Sequence, residues 1–213
     1  MTPEQQQDAN EADEIANKAY ETGNELLHLI EVLERYNKDI QPKIEITDAK
    51  YAGAVVYNGL LSRIVLIVAG AYSPARDGDL HLRRAFELLK QPEVRDELGR
   101  RGSSEMLEKA IALWERYQTD PRREPIMHFR HKFTAHLAKP KGDIAGLNYE
   151  TIFSFARDTV TIMDALGRGA GPRREPLRAW EEAAKNAAER FWSPWKDIRK
   201  VCGFEILLRR ARP

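Results

Sequence analysis

A single cysteine, Cys202, is present in the 213 residues, so no internal disulfide can staple the chain and a disulfide-built secreted scaffold is excluded. A long uncharged apolar run is also missing. The most apolar region is split by Arg63 into two uncharged pieces of 12 residues, 51–62 and 64–75. A membrane span needs about 20 such residues, so a buried helix is the expectation there. No basic and apolar leader opens the sequence, which begins polar and acidic. Strand-like alternation is absent outside a short stretch at residues 204–208, and there is no repeat or low-complexity tract. Net charge is almost absent, at +1. With 42% hydrophobic and 31% charged residues, the composition is that of an ordered, soluble chain, and a cytoplasmic protein is expected.

The near-zero total hides an uneven distribution. Residues 1–34 hold nine acidic side chains against one lysine, whereas residues 122–213 hold 19 Lys/Arg against 11 Asp/Glu. Two readings stay open at this point. The halves form one acidic and one basic bundle surface, or the basic half faces an anion such as RNA.

The spacing of apolar residues is helical throughout. Ile15, Ala19, Leu26, Ile30 and Leu33 recur every three or four positions and predict a helix over about 4–37. Gly23 is a place where it can bend, and Gln41-Pro42 ends it. Thr47 or Asp48 can cap a second helix, which runs to about Tyr72 and, being apolar on most sides, should be the most buried of all. Residues 73–79 form a loop, 80–90 and 93–100 two short helices, and 103–118 a longer one. Pro125 suits the first turn of the next helix, which reaches about residue 140. Another helix spans about 149–166, and Gly167, Gly169, Gly171 and Pro172 predict a hinge. Leu177 to Phe191 is an Ala-rich helix with Trp180, and 198–208 is a final helix or a short strand. The expected architecture is all-α, an antiparallel helical bundle over residues 1–170 with a C-terminal helical extension, 171–213, that contains a Trp-rich segment.

Three of the five histidines fall in nine residues, His128, His131 and His136. On a helix His128, Lys132 and His136 form one stripe, and Phe129, Phe133 and Leu137 form a second that faces the core. Arg130 and His136 are six residues apart, about 120° around an ideal helix, so they share no face within one chain. A long arginine can swing round, or a two-fold dimer can bring one copy's Arg to the other's His. A zinc site would need three or four ligands, and no nearby Cys or carboxylate completes a set with His128 and His131; no metal or other cofactor is expected. The bland reading is a solvated helix face with incidental histidines. The sharper one is chemistry on a phosphodiester, because Arg and Lys hold phosphate and His exchanges protons near neutral pH.

Arg130-His131-Lys132-Phe133-Thr134-Ala135-His136 resembles the Arg-(polar)-Lys-x-x-Ala-His form of the HEPN motif, usually written R-x(4–6)-H. Over roughly residues 10–170 the layout is similar to the AbiU2-like branch of HEPN proteins, with His131 standing where that branch carries Asn or Asp. The resemblance implies a helical bundle that dimerises, with motif helices meeting at a composite cleft. It also implies a metal-independent ribonuclease of toxin–antitoxin, abortive-infection or CRISPR settings. Under it, His136 is the acid/base group and Arg130 the phosphate clamp, with His131 and Lys132 in support. His128 is a peripheral candidate for substrate contact. Arg122, Arg123, Lys139 and Lys141 flank the motif helix and are candidates for guiding an RNA backbone. Some HEPN toxins carry, two residues after the motif His, a Tyr that receives a nucleotide. Ala138 occupies that position here, so that control is not expected, and an antitoxin partner stays unidentified. The alternative function is a non-catalytic HEPN-like module that binds RNA or protein, or a plain helical scaffold.

Three further expectations concern single residues. Arg63 is either paired inside the bundle or exposed at its surface; a structural pair, with Asp77 or Asp79 as candidates, is the favoured reading. Trp180, Trp192 and Trp195 anchor the extension rather than stack bases. Cys202 is inert.

Overall fold

The structure, a computed structural model, describes residues 1–47, 49–74, 80–131, 148–172 and 174–196. Within them the fold is all-α, with no strand. The first helix, α1 (Pro3–Arg35), is the axis of the bundle. Thr2 starts it with a reciprocal cap: its hydroxyl accepts from Gln5 N while Gln5 Oε1 accepts from Thr2 N, and Pro3 supplies the first-turn φ. One face of α1, with Ile15, Leu26, Ile30 and Leu33 fully buried, provides much of the core.

The helix runs through Gly23 without interruption. The missing side chain there admits Met163 and Leu177, which would lie 3.1 and 2.9 Å from a Cβ, so close packing rather than a bend explains this glycine. The chain also continues past residue 37. A π turn (Tyr36–Ile40) leads into the short α2 (Gln41–Ile44), with Pro42 in its first turn. Proline has no N–H and its ring clashes with the carbonyl four residues back, so a widened turn accommodates it without breaking the helical path.

The next helix, α3 (Lys50–Tyr72), corrects an expectation. It is not the most buried helix. Tyr51 and Val55 are 73% exposed, and Val56 and Leu66 are exposed as well. By length and composition α3 qualifies as a membrane span, and 39% of its most apolar stretch is buried in the bundle. One side packs on α1, while the other has no described neighbour that covers it. Uniform apolarity gives no directional signal, which is why the sequence overstated its burial. Arg63 is likewise not internal. It makes a two-pronged pair with Glu25 of α1 at 2.7 and 3.0 Å, on the surface; Asp77 and Asp79 lie outside the described residues.

The core position falls to α8 (Tyr149–Ala170), with 13 of its 22 residues buried against 10 of 23 in α3. Asn148 caps it, its side-chain oxygen accepting from Thr151 N at 2.7 Å. The contacts run in opposite order along α1 and α8, from Arg157 against Glu31 and Glu34 to Gly167 against Tyr20, so the two helices are antiparallel. The expected hinge at Gly167 and Gly169 is helix instead. A Cβ at 167 would sit 2.6 Å from Tyr20 Cβ, and one at 169 would sit 2.7 Å from the Leu107 backbone nitrogen. These glycines therefore let α8 touch α1 and α6 (Ser104–Tyr117), and the helix stops only at Gly171.

Two short helices, α4 (Leu82–Leu88) and α5 (Pro92–Arg101), close the far end of α1 through Arg84–Glu11 and Gln91–Asp8. Beyond α8, a 3₁₀ turn (Leu177–Trp180) leads into α9 (Glu181–Trp192), which lies along α1. Trp192 is buried there, its indole N–H donating to Val32 O at 2.8 Å and its ring 5.1 Å from Tyr36, the anchoring role expected of it. Trp195 packs partly against the same cluster, whereas Trp180 is exposed.

Candidate functional site

The seventh helix, α7 (Arg123–Phe129), carries the first residue of the histidine cluster, His128, and Arg130 and His131 follow in π-type winding. It packs against α3 with Ile126 buried and Phe129 partly buried. The charged cluster is therefore fixed by a short apolar contact on one side and by polar bonds at its two ends.

At the entrance, Asp120 and Arg122 build a tether. Asp120 Oδ1 accepts from both Arg122 N and Arg122 Nε at 2.9 Å, and Oδ2 accepts from Nη2 at 2.8 Å. The same Nη2 reaches Asp158 of α8 at 2.7 Å, and Nη1 reaches Ser154 at 3.2 Å. Asp158 also accepts from the Tyr117 hydroxyl at 3.0 Å. The guanidinium lies 5.2 Å from the Phe155 ring, in cation–π range. One arginine thus joins the turn before α7, the end of α6 and the second and third turns of α8. The guanidinium faces two carboxylates, which more than offset its charge. Its hydrogen bond to Arg122 holds Asp120 below the usual carboxylate range, against a smaller opposing effect of burial, and Asp120 first, then Asp158, holds Arg122 above the usual arginine range. Arg123 is placed nearby and donates to Gln118 O at 2.7 Å, closing the same turn.

At the exit the chemistry differs. Arg130 is part-buried and its Nη1 donates to Ser73 Oγ at 2.8 Å. Among the described residues no carboxylate pairs with it. His128 and His131 are exposed. Among the described residues no three His, Cys, Asp or Glu side chains come together as a metal-binding group. His136, Lys132, Lys139 and Lys141 lie outside the described residues. Of the nine candidates named from the sequence, the structure therefore locates Arg122, Arg123, His128, Arg130 and His131. It brings Arg122 and Arg123 to one end of α7 and His128, Arg130 and His131 to the other.

Sequence reasoning missed Asp120, Ser154, Asp158, Tyr117 and Ser73. The spacing Asp120-x-Arg122 carried a weak local signal, since a carboxylate commonly accepts from the backbone two residues on. Nothing in the sequence announces the contacts from residues 154, 158 and 73, because they come from other helices. A cleft of about 520 Å³ opens at the first turns of α8, lined by Glu34, Asn37, Tyr149, Phe153, Ser154 and Arg157 among others. Its Arg157 is committed to Glu31 and Glu34 at 2.8 and 2.6 Å.

Comparison with known proteins adds the family. The HEPN family model described as AbiU2 matches residues 12–191, which takes in α3, the Arg122 tether, the Arg130–His136 motif and most of α9. No curated protein and no solved structure matches the chain. The chain belongs to the AbiU2 family of HEPN proteins.

Proposed function

We propose that this chain is a metal-independent endoribonuclease of the HEPN type, acting as a homodimer in a defence, abortive-infection or toxin–antitoxin setting. The observation that carries the reading is Arg130. It is the first residue of the motif, and its partner among the described residues is a neutral hydroxyl. A guanidinium that meets a hydroxyl, and no carboxylate among the described residues, can lend its charge to an anion. Arg130 would hold a phosphodiester oxygen and stabilise negative charge as the transition state forms.

The reaction follows from RNA itself. The 2′-oxygen forms a bond to phosphorus while the bond from phosphorus to the 5′-oxygen breaks. A neutral imidazole takes the 2′-OH proton, and an imidazolium gives one to the departing 5′-oxygen. The products are a 2′,3′-cyclic phosphate and a 5′-hydroxyl. His136 carries the acid/base role, with His131 and Lys132 in support. Two copies enter the proposal because residues six apart, as Arg130 and His136 are, would lie on different faces of an ideal helix. Arg123, His128, Lys139 and Lys141 are left to guide the RNA backbone, whereas the two carboxylates on Arg122 give that residue a structural job.

A second reading, a non-catalytic RNA- or protein-binding HEPN module, is favoured by one feature, His131 in place of Asn or Asp. Incubation of the purified chain with total RNA in EDTA separates the two. The nuclease reading expects new 5′-hydroxyl ends that vanish with His136→Ala. Salt-sensitive RNA binding without new ends would support the binding module instead.

A further inference from the structure

The residue that holds Arg130 has its own construction. Ser73 closes α3 in an extended conformation, φ −66° and ψ 153°, the conformation the following Pro74 favours. Its N–H donates to Gly70 O at 3.1 Å and its hydroxyl donates to Ala69 O at 2.8 Å, one turn back. The side chain is buried, with 6% of the residue exposed.

A serine hydroxyl has one proton and two lone pairs. With the proton given to the Ala69 carbonyl, the oxygen facing Arg130 acts only as an acceptor, which suits a guanidinium that only donates. The chain of bonds runs from Arg130 Nη1 through Ser73 Oγ to Ala69 O, and each bond polarises the next. The last carbonyls of α3 carry the partial negative charge of a helix C-terminus, a favourable surrounding for a cation that adds no formal charge. Ser73 therefore orients Arg130 and leaves its positive charge intact.

We propose that Ser73 is a positioning residue for the phosphate clamp: it fixes the plane of the Arg130 guanidinium so that the remaining N–H groups meet the non-bridging oxygens of an RNA phosphodiester. The proposal rests on the reading of Arg130 as the phosphate-binding group.

The test uses the full chain with Ser73→Ala, Ser73→Thr and Ser73→Asp, each also combined with Arg130→Lys. Cleavage of a short RNA in EDTA, RNA binding and thermal melting are read together. Ser73→Ala lowers kcat about tenfold or more with a smaller change in KM, as loss of orientation does. Ser73→Thr keeps the hydroxyl and the bond to residue 69, and restores kcat to within about threefold of the parent. Ser73→Asp supplies a carboxylate that cancels the guanidinium and weakens RNA binding more than Ser73→Ala does. In the Arg130→Lys background Ser73→Ala has at most about a twofold further effect, since the planar fork it orients is gone.

Wild-type kcat and KM in a folded Ser73→Ala chain would overturn the proposal, as would an equal loss with and without Arg130→Lys. Should Ser73→Ala fail to fold, Ser73→Cys keeps the volume with a poor acceptor and carries the same expectation. Parent protein that neither cleaves nor binds RNA would overturn the nuclease reading beneath it, and that result is distinct from any Ser73 result.

Discussion

Arg122 and Arg130 stand eight residues apart, at opposite ends of α7, and meet different partners. Arg122 is enclosed by Asp120, Asp158, Ser154 and the Phe155 ring. Arg130 meets the Ser73 hydroxyl. A cation with two carboxylates in contact has its charge more than offset, and it joins three chain segments. A cation held by a hydroxyl is oriented and still charged. Residue type and proximity to a motif do not distinguish the two; the charge of the partner does.

The largest expected effect breaks the second half of that contrast. Arg130→Ala reduces RNA cleavage at least about 100-fold, while melting stays close to the parent because no carboxylate among the described residues is orphaned. Activity and thermal denaturation on the same preparation check this. Arg122→Ala does the reverse. It leaves Asp120 and Asp158 part-buried without their cation and costs roughly 2 kcal/mol. For a chain of this size that is a fall of about 4–8 °C in Tm, with activity lost only in proportion to unfolding.

A smaller change sharpens the same comparison. Asp158→Asn removes a charge but keeps an acceptor for Arg122 or Tyr117, so it destabilises by about 1 kcal/mol, measurable by urea titration. The smallest effect is in pH. Asp120 sits below its ordinary value of 3.8 because it accepts from Arg122. The unfolded chain therefore binds that proton first as pH falls. The stabilisation is present above the ordinary carboxylate range and is lost on acidification through it toward the depressed value. Stability curves from pH 6 downward should show a shallower acid loss in Arg122→Ala than in the parent.

Local pattern accounts for how much was legible from sequence. The Ile15–Leu33 periodicity placed α1. Pro125 marked the first turn of α7, and the helix expected from residue 149 begins there as α8. The family was visible in the spacing from Arg130 to His136 and is shown by the match over 12–191. Burial and pairing were not legible where they depend on distant neighbours. α3 reads as a core helix by composition, yet nothing described covers Tyr51 or Val55. Gly167 and Gly169 read as a hinge because a glycine's reason for being in a helix, the close approach of Tyr20 or of the Leu107 backbone, lies over 60 residues away in the chain. The same holds for Ser73 and Arg130, 57 residues apart. Five of the seven motif residues, Lys132 to His136, fall outside the described residues, and the acid/base role of His136 comes from the family resemblance.

The central claim is that Arg130 lends its charge to an RNA phosphate during metal-free transesterification. The most direct measurement compares the parent and Arg130→Ala, both shown to be folded, on one short RNA in EDTA, alongside the same RNA with a 2′-deoxy nucleotide at the mapped cleavage position. The account predicts a 2′,3′-cyclic phosphate product from the parent alone, and none from the deoxy substrate. Equal cleavage by Arg130→Ala, or scission at the deoxy position, would contradict it.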